Sequence, residues 1–129
     1  MPLLTISSLS KRFNLEAGFF ARFGRFVNAV NGVSFNIGKN EAYGLVGESG
    51  CGKTTTARLL VRMYEADGGS IIYHREDGPI EVNSLQRNGL RQYRQSVKYI
   101  FQDPARSLNP RMSVYDVLVS GFRWSGGEK

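Results

Sequence analysis

Apolar and polar residues alternate in two places before residue 40. Leu4 and Ile6 are separated by a threonine, and residues 33–37 read Val-Ser-Phe-Asn-Ile. A period of two places alternate side chains on opposite faces of a strand, so that one face can be buried. We therefore predict two half-buried antiparallel strands, near 4–6 and 33–37.

A hairpin is predicted further along, where two short apolar segments flank a polar turn. The segments are 70–73 and 80–82, and the turn between them, 74–79, contains charged residues, a glycine and a proline. Residues of these types favour a reversal of chain direction. His74, the single histidine, falls in this turn, and we expect a solvated loop residue rather than a metal ligand or a base.

Two nearly continuous apolar runs, 42–46 and 97–101, predict strands that are buried on both faces. Runs of this length are typical of parallel strands covered by helices. The first run leads through a loop into a predicted helix that ends near Asp67. The apolar residues of that helix recur at the spacing of one helical face: Ala57, Leu60, Val61 and Tyr64.

Two more helices are predicted by spacing and by capping signals. The first, about 84–95, carries basic residues every three or four positions, which we interpret as a solvated face rather than a phosphate grip. These residues are Arg87, Arg91, Arg94 and Lys98. The second opens with Ser113 and has Asp116 three positions later, which is a capping-box arrangement. Its apolar face would be formed by Val114, Val117 and Leu118.

The loop at 47–54 reads Gly-Glu-Ser-Gly-Cys-Gly-Lys-Thr, which matches G-x-x-x-x-G-K-S/T at every fixed position. Its glycines allow successive backbone N–H groups to curl closely around anionic oxygens. Lys53 is expected to reach the β- and γ-phosphates of a nucleoside triphosphate, and the Thr54 hydroxyl to bind Mg²⁺. The helix that follows would add its positive N-terminal end. We therefore predict a nucleoside triphosphate with magnesium as the ligand.

Composition and charge narrow the class of protein. With 129 residues, 41% of them hydrophobic, the chain can form one domain with a core. Its net charge of +6 would suit nucleic acid or an anionic membrane, but the basic residues are scattered, and we expect no nucleic-acid partner. The single cysteine, Cys51, suits a reducing compartment. No apolar run approaches the ~20 residues of a transmembrane helix, so we expect a soluble protein, at most peripheral to a membrane.

A basic and aromatic insertion lies between the first two predicted strands. Residues 11–28 include five phenylalanines and four basic residues, with glycines at 18 and 24. We interpret this segment as a long loop that covers its own phenylalanines. A surface that touches a membrane or a partner is the alternative.

Gln102 follows directly after the second apolar run. Ligands collect at the carboxyl ends of strands in open parallel sheets, so its amide is a candidate ligand of magnesium or water facing the phosphate loop. Asp103 is a second candidate, because an apolar run that ends in aspartate holds Mg²⁺ in many such proteins. We discount Asp103, since Gln102 interrupts the run and no acidic residue follows.

With the phosphate loop, the strands before it and the segment Phe-Gln-Asp-Pro-Ala-Arg-Ser-Leu-Asn-Pro-Arg-Met at 101–112, the chain resembles the ATP-binding subunit of an ABC transporter. More narrowly, the segment is closely similar to that of the oligopeptide, dipeptide and nickel uptake branch. Gln102 stands 49 positions after Lys53 (102 − 53), and this combination is much more specific than the phosphate loop alone. The resemblance covers essentially the whole chain.

The resemblance implies roles for individual residues. Gln102 would be the Q-loop glutamine, which joins Thr54 as a magnesium ligand and Lys53 in catalysis. Phe13 is similar to the aromatic residue that stacks on adenine, with Phe26 as the alternative. The Walker A loop, 47–55, would bind nucleotide through Gly47, Glu48, Ser49, Gly50, Cys51, Gly52, Lys53, Thr54 and Thr55.

The fold expected is α/β: a P-loop NTPase core of the ABC ATPase type, with a partly parallel sheet and an antiparallel β subdomain. The whole chain, 1–129, would be the N-terminal part of such a domain, truncated before the helical subdomain and the Walker B strand. Four segments are expected. Residues 1–40 would form antiparallel strands with the insertion, and residues 41–66 a strand, the Walker A loop and a helix. Residues 67–101 would form a hairpin, a short helix and the Q-loop strand, and residues 102–129 the Q-loop and the start of the helical subdomain.

Residues 125–128 read Ser-Gly-Gly-Glu, which copies part of the family's Leu-Ser-Gly-Gly-Gln signature. They stand only 23 positions after Gln102 (125 − 102), whereas the family places a much longer helical subdomain between the two motifs. We therefore interpret them as a chance likeness.

The function implied is binding of ATP and Mg²⁺ and, in the intact protein, ATP hydrolysis that powers the import of oligopeptides or dipeptides. The partners would be a second ATP-binding subunit and membrane permease subunits that contact 102–116, at the cytoplasmic face of the membrane. We expect this chain itself to hydrolyse ATP little or not at all, because it lacks a credible acidic metal ligand and base. The alternatives are an ABC ATPase for another solute, a nucleic-acid-associated P-loop ATPase and a non-catalytic scaffold.

Overall fold

A computed structural model describes residues 1–14, 26–103 and 108–125, with side chains as far as residue 121 in the last range. Most of the predicted insertion, part of the segment at 101–112 and nearly all of the Ser-Gly-Gly-Glu sequence lie outside the described residues. The described elements, in chain order, are strands β1 (Pro2–Asn14) and β2 (Phe26–Gly38), helix α1 (Lys53–Leu60), strands β3 (Gly68–Arg75) and β4 (Gly78–Glu81), a 3-10 turn (Val82–Ser84), and helices α2 (Arg87–Ser96) and α3 (Val114–Ser125).

The four strands form one sheet in the order β2-β1-β3-β4, and every neighbouring pair is antiparallel. Ile6 of β1 lies opposite Phe35 on one side and Ile71 on the other. Tyr73 lies opposite Ile80 in the β3-β4 hairpin. The two predicted antiparallel strands and the predicted hairpin are therefore confirmed, although the first two strands are longer than the alternating segments indicated.

The core is a cluster that joins the sheet to the helices. Its fully buried side chains come from β1, α1, β3, the 3-10 turn and α2, so it ties together elements that are far apart in sequence. They are Ile6, Leu9, Leu59, Ile71, Val82 and Tyr93. Burial of such side chains is worth roughly 1.5–3 kcal/mol each. This cluster holds α1, and with it the phosphate loop, against the sheet.

The prediction of two buried parallel strands is wrong for the described residues. Residues 42–46 and 97–101 form no strand, and Val46 and Ile100 are 91% and 88% exposed. An apolar run becomes a strand only when a neighbouring strand accepts its backbone hydrogen bonds, and neither segment has one here. Residues 42–46 are held instead by Tyr43, whose ring stacks on Phe35 of β2 at 5.0 Å.

Helix α1 is shorter than predicted. It ends at Leu60, because Arg62 adopts a left-handed φ of 56° that turns the chain away from the helix axis. Its fully buried face is formed by Thr56 and Leu59, whereas Leu60 is only half-buried. The carbonyl groups at its end are satisfied by α2: the Tyr93 hydroxyl donates to the Leu60 carbonyl at 2.6 Å.

Arg94 of α2 adds two further contacts at the same end. Its Nε donates to the Val61 carbonyl at 3.3 Å, and its Nη2 donates to the Arg62 carbonyl at 2.6 Å. A cation at the carboxyl end of a helix also interacts favourably with the helix dipole. Of the basic stripe on α2, Arg94 therefore has a structural role, while Arg87 and Arg91 are exposed as predicted.

His74 lies in β3 and not in the turn, so its assignment as a solvated loop residue is wrong. The ring is half-buried, and its Nε2 lies 3.0 Å from the Thr5 hydroxyl of β1. The strand extends to Arg75 because β4 begins at Gly78 and leaves only two residues for the turn.

The predicted cap of α3 at Ser113 is confirmed, although the Asp116 carboxylate meets the Ser113 hydroxyl rather than its backbone N–H. The Asp116 N–H donates to the Ser113 hydroxyl at 3.1 Å, and that hydroxyl donates to the Asp116 carboxylate at 2.6 Å. The apolar residues of α3 do not enter the core: Val114 is 78% exposed and Leu118 is 61% exposed. No helix in the described part of the chain is long and apolar enough to cross a membrane.

Candidate phosphate-binding loop

The glycine-rich loop lies directly against β2. A Cβ atom at Gly52 would overlap the Ala29 carbonyl oxygen well inside 3.0 Å, the closest approach that real Cβ atoms show. Gly52 also has a φ of 96°, a conformation that costs other residues about 1–2 kcal/mol. Glycine is therefore required where the loop meets the strand and turns into α1.

Two other glycines of the motif serve different purposes. Gly50 has a φ of 82° but open space around it, so only its backbone conformation calls for glycine. A Cβ at Gly47 would lie 2.6 Å from the Cys51 Sγ, so the loop closes tightly on itself there. The Cys51 N–H donates to the Glu48 carbonyl at 3.3 Å and completes this turn.

Lys53, the first residue of α1, folds back over the loop. Its Nζ donates to the carbonyl oxygens of Gly47 and Glu48, each at 2.6 Å, and lies 3.5 Å from the Cys51 Sγ. An ammonium group has three donors, and the carbonyls occupy two of them. The third faces a weak acceptor, sulfur, which an anionic oxygen would outcompete.

The N-terminus of α1 has backbone donors without side-chain acceptors. Gly52 caps the helix with no side-chain hydrogen bond, and the first turn contains no acidic residue. The first N–H groups of a helix have no partner within the helix, and together with the dipole they favour an anion. The first helical bond runs from the Thr56 N–H to the Gly52 carbonyl at 2.8 Å.

The three threonines after Lys53 divide into two roles. The Thr56 side chain is buried and its hydroxyl donates to the Gly52 carbonyl at 3.0 Å, which fixes the start of the helix. Thr54 is exposed and Thr55 is half-buried. The Thr54 hydroxyl is thus available to a cation bound at the mouth of the loop. The donor set, which combines backbone N–H groups, an ammonium and a hydroxyl, fits a magnesium-bound phosphate.

Gln102 takes no part in the hydrogen bonds of this loop among the described residues. It lies in a bend and is exposed, because the strand that was expected to end at residue 101 does not form. Among the described residues, no hydrogen bond joins it to residues 47–55. No group of three or more His, Cys, Asp or Glu in the described part of the chain could hold a metal ion.

Phe13 lies near the end of β1, opposite Val27 of β2. Its ring meets Tyr64 edge to face, with centroids 5.2 Å apart and planes at 76°, and the Lys11 Nζ lies 5.5 Å from its centroid. The alternative residue, Phe26, is 61% exposed. Of the two rings, Phe13 is the one whose orientation is fixed, because Tyr64 packs against it.

The sequence analysis missed the polar group beside this ring. The Asp67 carboxylate accepts hydrogen bonds from the Arg12 N–H at 2.6 Å and from the Lys11 Nζ at 3.0 Å, and these contacts hold its pKa below the usual range. The contact joins residues 55 and 56 positions apart, which no local pattern indicates. Asp67 also lines a cavity of about 360 Å³. The other residues that line it are Ser10, Arg12, Asn28, Val30 and Asn31.

A glycine loop that packs on a strand and opens a helix with lysine defines a P-loop nucleotide-binding protein. The sequence profile described as ABC transporter matches residues 30–128. The chain therefore belongs to the ABC transporter family.

The chain is also similar to individual members of that family. It is 39% identical over 125 residues to the glutathione import ATP-binding protein GsiA of Escherichia coli (strain K12) and to that of Shigella dysenteriae serotype 1 (strain Sd197). In both cases the match covers 97% of this chain and 19% of the relative, so the chain spans about a fifth of the length of these curated relatives.

One solved structure shows the same fold. The dimeric post-hydrolysis state of the ATP-binding cassette MJ0796 bound to ADP and Pi matches with a TM-score of 0.72 at 18% identity. The match covers 98% of this chain and 49% of that one. The prediction of an ABC-type α/β fold is thereby confirmed, while the sheet of the described residues is antiparallel throughout.

Proposed function

We propose that this chain binds ATP with Mg²⁺ through residues 47–55 and that the whole protein hydrolyses ATP to drive import of a peptide-type solute. The observation that carries the proposal is the loop itself. Gly52 lies against the Ala29 carbonyl with no room for a Cβ, and Lys53 is held over the loop by two backbone carbonyls. Such pre-organisation serves anion binding, because the donors need little rearrangement when the ligand arrives.

Different groups of the loop bind the phosphates and the cation. Lys53 and the N–H groups at the start of α1 bind and orient the phosphates, and Thr54 offers its hydroxyl to the cation. Bound Mg²⁺ would neutralise charge on the phosphate oxygens. Phe13 stacks on the base, since its ring is already fixed by Tyr64. Gln102 contributes to the magnesium site and to catalysis, which requires residues 97–102 to approach the loop.

The proposed solute and partners follow from the relatives. The GsiA proteins are named as glutathione import ATP-binding proteins, which supports a peptide-type solute for this chain. The MJ0796 structure is dimeric, which supports a second ATP-binding subunit as partner. We further assign permease contacts to residues 102–116, a location at the cytoplasmic face of the membrane, and the four segments 1–40, 41–66, 67–101 and 102–129.

The direct test is a calorimetric titration of the 129-residue chain with MgATP, beside the variant Lys53→Ala. Removing one charge-assisted phosphate contact should cost about 1.5–3 kcal/mol, which is a roughly 10- to 150-fold weaker affinity. Lys39→Ala is the matched control, because Lys39 is an exposed lysine whose ion pair, with Glu76 at 3.7 Å, lies outside the loop. Equal affinity of the wild type and Lys53→Ala would contradict the proposal.

Hydrolysis is tested in the whole protein by phosphate release. We expect turnover that Lys53→Ala abolishes and Lys39→Ala leaves unchanged. Turnover that survives Lys53→Ala would show that this loop is not the catalytic one.

A further inference from the structure

Asp67 holds the end of β1, where that strand has run past β3. The pairing of β1 with β3 ends at Ser10, which lies opposite Gly68. At that point the Asp67 N–H donates to the Ser10 carbonyl at 2.9 Å, and the Asp67 carboxylate accepts from the Arg12 N–H at 2.6 Å. An N–H at the edge of a strand needs an acceptor, and here a side chain supplies it in place of β3.

The same carboxylate also holds a cation over the Phe13 ring. The Lys11 Nζ lies 3.0 Å from the Asp67 Oδ1 and 5.5 Å from the centre of the ring. These distances are within the ranges of an ion pair and of a cation–π interaction. The Lys11 side chain is only 15% exposed, so solvent screens this pair less than it screens a fully exposed one. The position of the ammonium above the ring therefore depends on Asp67.

Tyr64 supplies another contact of the ring. It meets Phe13 edge to face, and its own hydroxyl accepts a hydrogen bond from the Arg58 Nη1 of α1 at 3.1 Å. The ring is thus fixed by Tyr64, in the segment after α1, and by the ion pair of Lys11 with Asp67. An aromatic ring whose orientation is already fixed loses little rotamer freedom when a planar ligand stacks on it. The ion pair is the charged part of this support, and it can be removed while Tyr64 stays in place.

We propose that Asp67 is a positioning residue for the nucleotide base, because it fixes the Phe13 ring through Lys11 and through the backbone of β1. This inference rests on the proposed function, in which the base stacks on Phe13. The hydrogen bonds of Asp67 described above all run to residues 10–12 and not to the phosphate loop. Loss of the carboxylate therefore weakens the binding of the base and leaves the binding of the phosphates unchanged.

The experiment is a calorimetric titration of the 129-residue chain with two ligands, MgATP and magnesium tripolyphosphate. Tripolyphosphate carries the three phosphates without the base, so the ratio of the two affinities reports the contribution of the rest of the nucleotide. Stacking of a base on an aromatic ring corresponds to about 5- to 150-fold in affinity. In Asp67→Ala we expect the ratio to fall by about 2- to 12-fold, which is half of that free energy, with the affinity for tripolyphosphate unchanged. A purely structural role would lower both affinities by the same factor and leave the ratio unchanged.

Two variants isolate the ion pair from the backbone contact. Asp67→Asn keeps an oxygen acceptor for the Arg12 N–H but loses the charge, and Lys11→Met keeps the apolar stem but loses the ammonium. Each should lower the ratio by about twofold or more, and the double variant should lower it no further than the single ones, because both remove the same interaction.

Two further variants serve as references. In a Phe13→Ala background the ratio should not change when Asp67→Ala is added, because the ring on which Asp67 acts is gone. Asp77→Ala is the matched control. It removes an exposed carboxylate that pairs with Arg75 at the β3-β4 turn, and it should keep the ratio of the wild type.

The outcomes separate the two proposals. If the wild type binds neither ligand, the proposed function is overturned and this inference with it. If both ligands bind but the ratio in Asp67→Ala equals that of the wild type, this inference alone is overturned. The same holds if the effects of Asp67→Asn and Lys11→Met add in the double variant, since the ion pair is then not the route. Should Asp67→Ala fail to fold, Lys11→Met decides by the same ratio.

Discussion

Substitution of Gly52 by alanine tests whether the loop conformation is set by its packing on β2. The new Cβ meets two obstacles. The alanine must adopt a left-handed φ of 96°, which costs about 1–2 kcal/mol, and its Cβ overlaps the Ala29 carbonyl oxygen. Backbone cannot rotate away as a flexible side chain can, so relief requires a shift of the loop or of β2. Overpacking of this kind costs typically about 1–3 kcal/mol.

The chain contains matched controls for each obstacle. In Gly50→Ala the residue must adopt a left-handed φ of 82°, but its Cβ has nothing within 4 Å. Its free energy of unfolding should fall by only about 1–2 kcal/mol. Gly44→Ala meets neither obstacle and should stay within about 0.5 kcal/mol of the wild type. Gly52→Ala combines both terms, so we expect a loss of about 2–5 kcal/mol.

The assay is urea denaturation of each variant at 25 °C, with the slope m compared as well as the midpoint. The expected order of the free energies of unfolding is Gly44→Ala, then Gly50→Ala, then Gly52→Ala, from most to least stable. If Gly52→Ala and Gly50→Ala agree within about 0.5 kcal/mol, the contact with β2 contributes nothing and the reasoning is refuted.

Four further predictions concern residues outside the loop. Tyr93→Phe removes the donor to a helix carbonyl at 2.6 Å and should lower the free energy of unfolding by about 1 kcal/mol, whereas the exposed Tyr115→Phe should not. Burial raises the pKa of Tyr93 to about 12 from 10.0. Its contribution to the free energy of unfolding is therefore complete below pH 10 and is lost as the pH rises through 12. If the stabilities of Tyr93→Phe and the wild type fall in parallel over that range, the prediction is contradicted. The lowered pKa of Asp67 contributes stability above pH 3.8 that is lost on acidification, and Asp67→Asn should flatten the acid limb of a thermal-melting profile; an unchanged limb is the adverse result. Phe13→Ala should weaken MgATP binding by about 1–3 kcal/mol in a titration while Phe26→Ala does not, and the reverse order would exchange their roles.

The local signals in the sequence were reliable because the atoms involved are close along the chain. The cap formed by Ser113 and Asp116 spans four residues, and the Ser113 hydroxyl accepts the predicted hydrogen bond from the Asp116 N–H. The phosphate motif spans eight residues, and glycine proves necessary at Gly52. The alternation at 33–37 identified a strand, since a period of two reports directly which face of that strand is buried.

Which segments pair with a neighbouring strand or helix was decided only by the tertiary structure. The apolar runs at 42–46 and 97–101 report that these side chains avoid water, but not which backbone accepts their hydrogen bonds, and without a neighbouring strand they stay irregular. The end of α1 depends on Arg62 and on donors of α2 that are 32 or 33 positions away.

The contacts of single polar residues were equally hidden. The side-chain partner of His74 is Thr5, 69 positions earlier and beside it in the sheet. Sequence determined the local geometry of the loop, its caps and its strands, because those interactions close within a few residues. Which segments pack against the loop and the strands was decided only in the folded chain, because burial and hydrogen bonding depend on which distant segments meet.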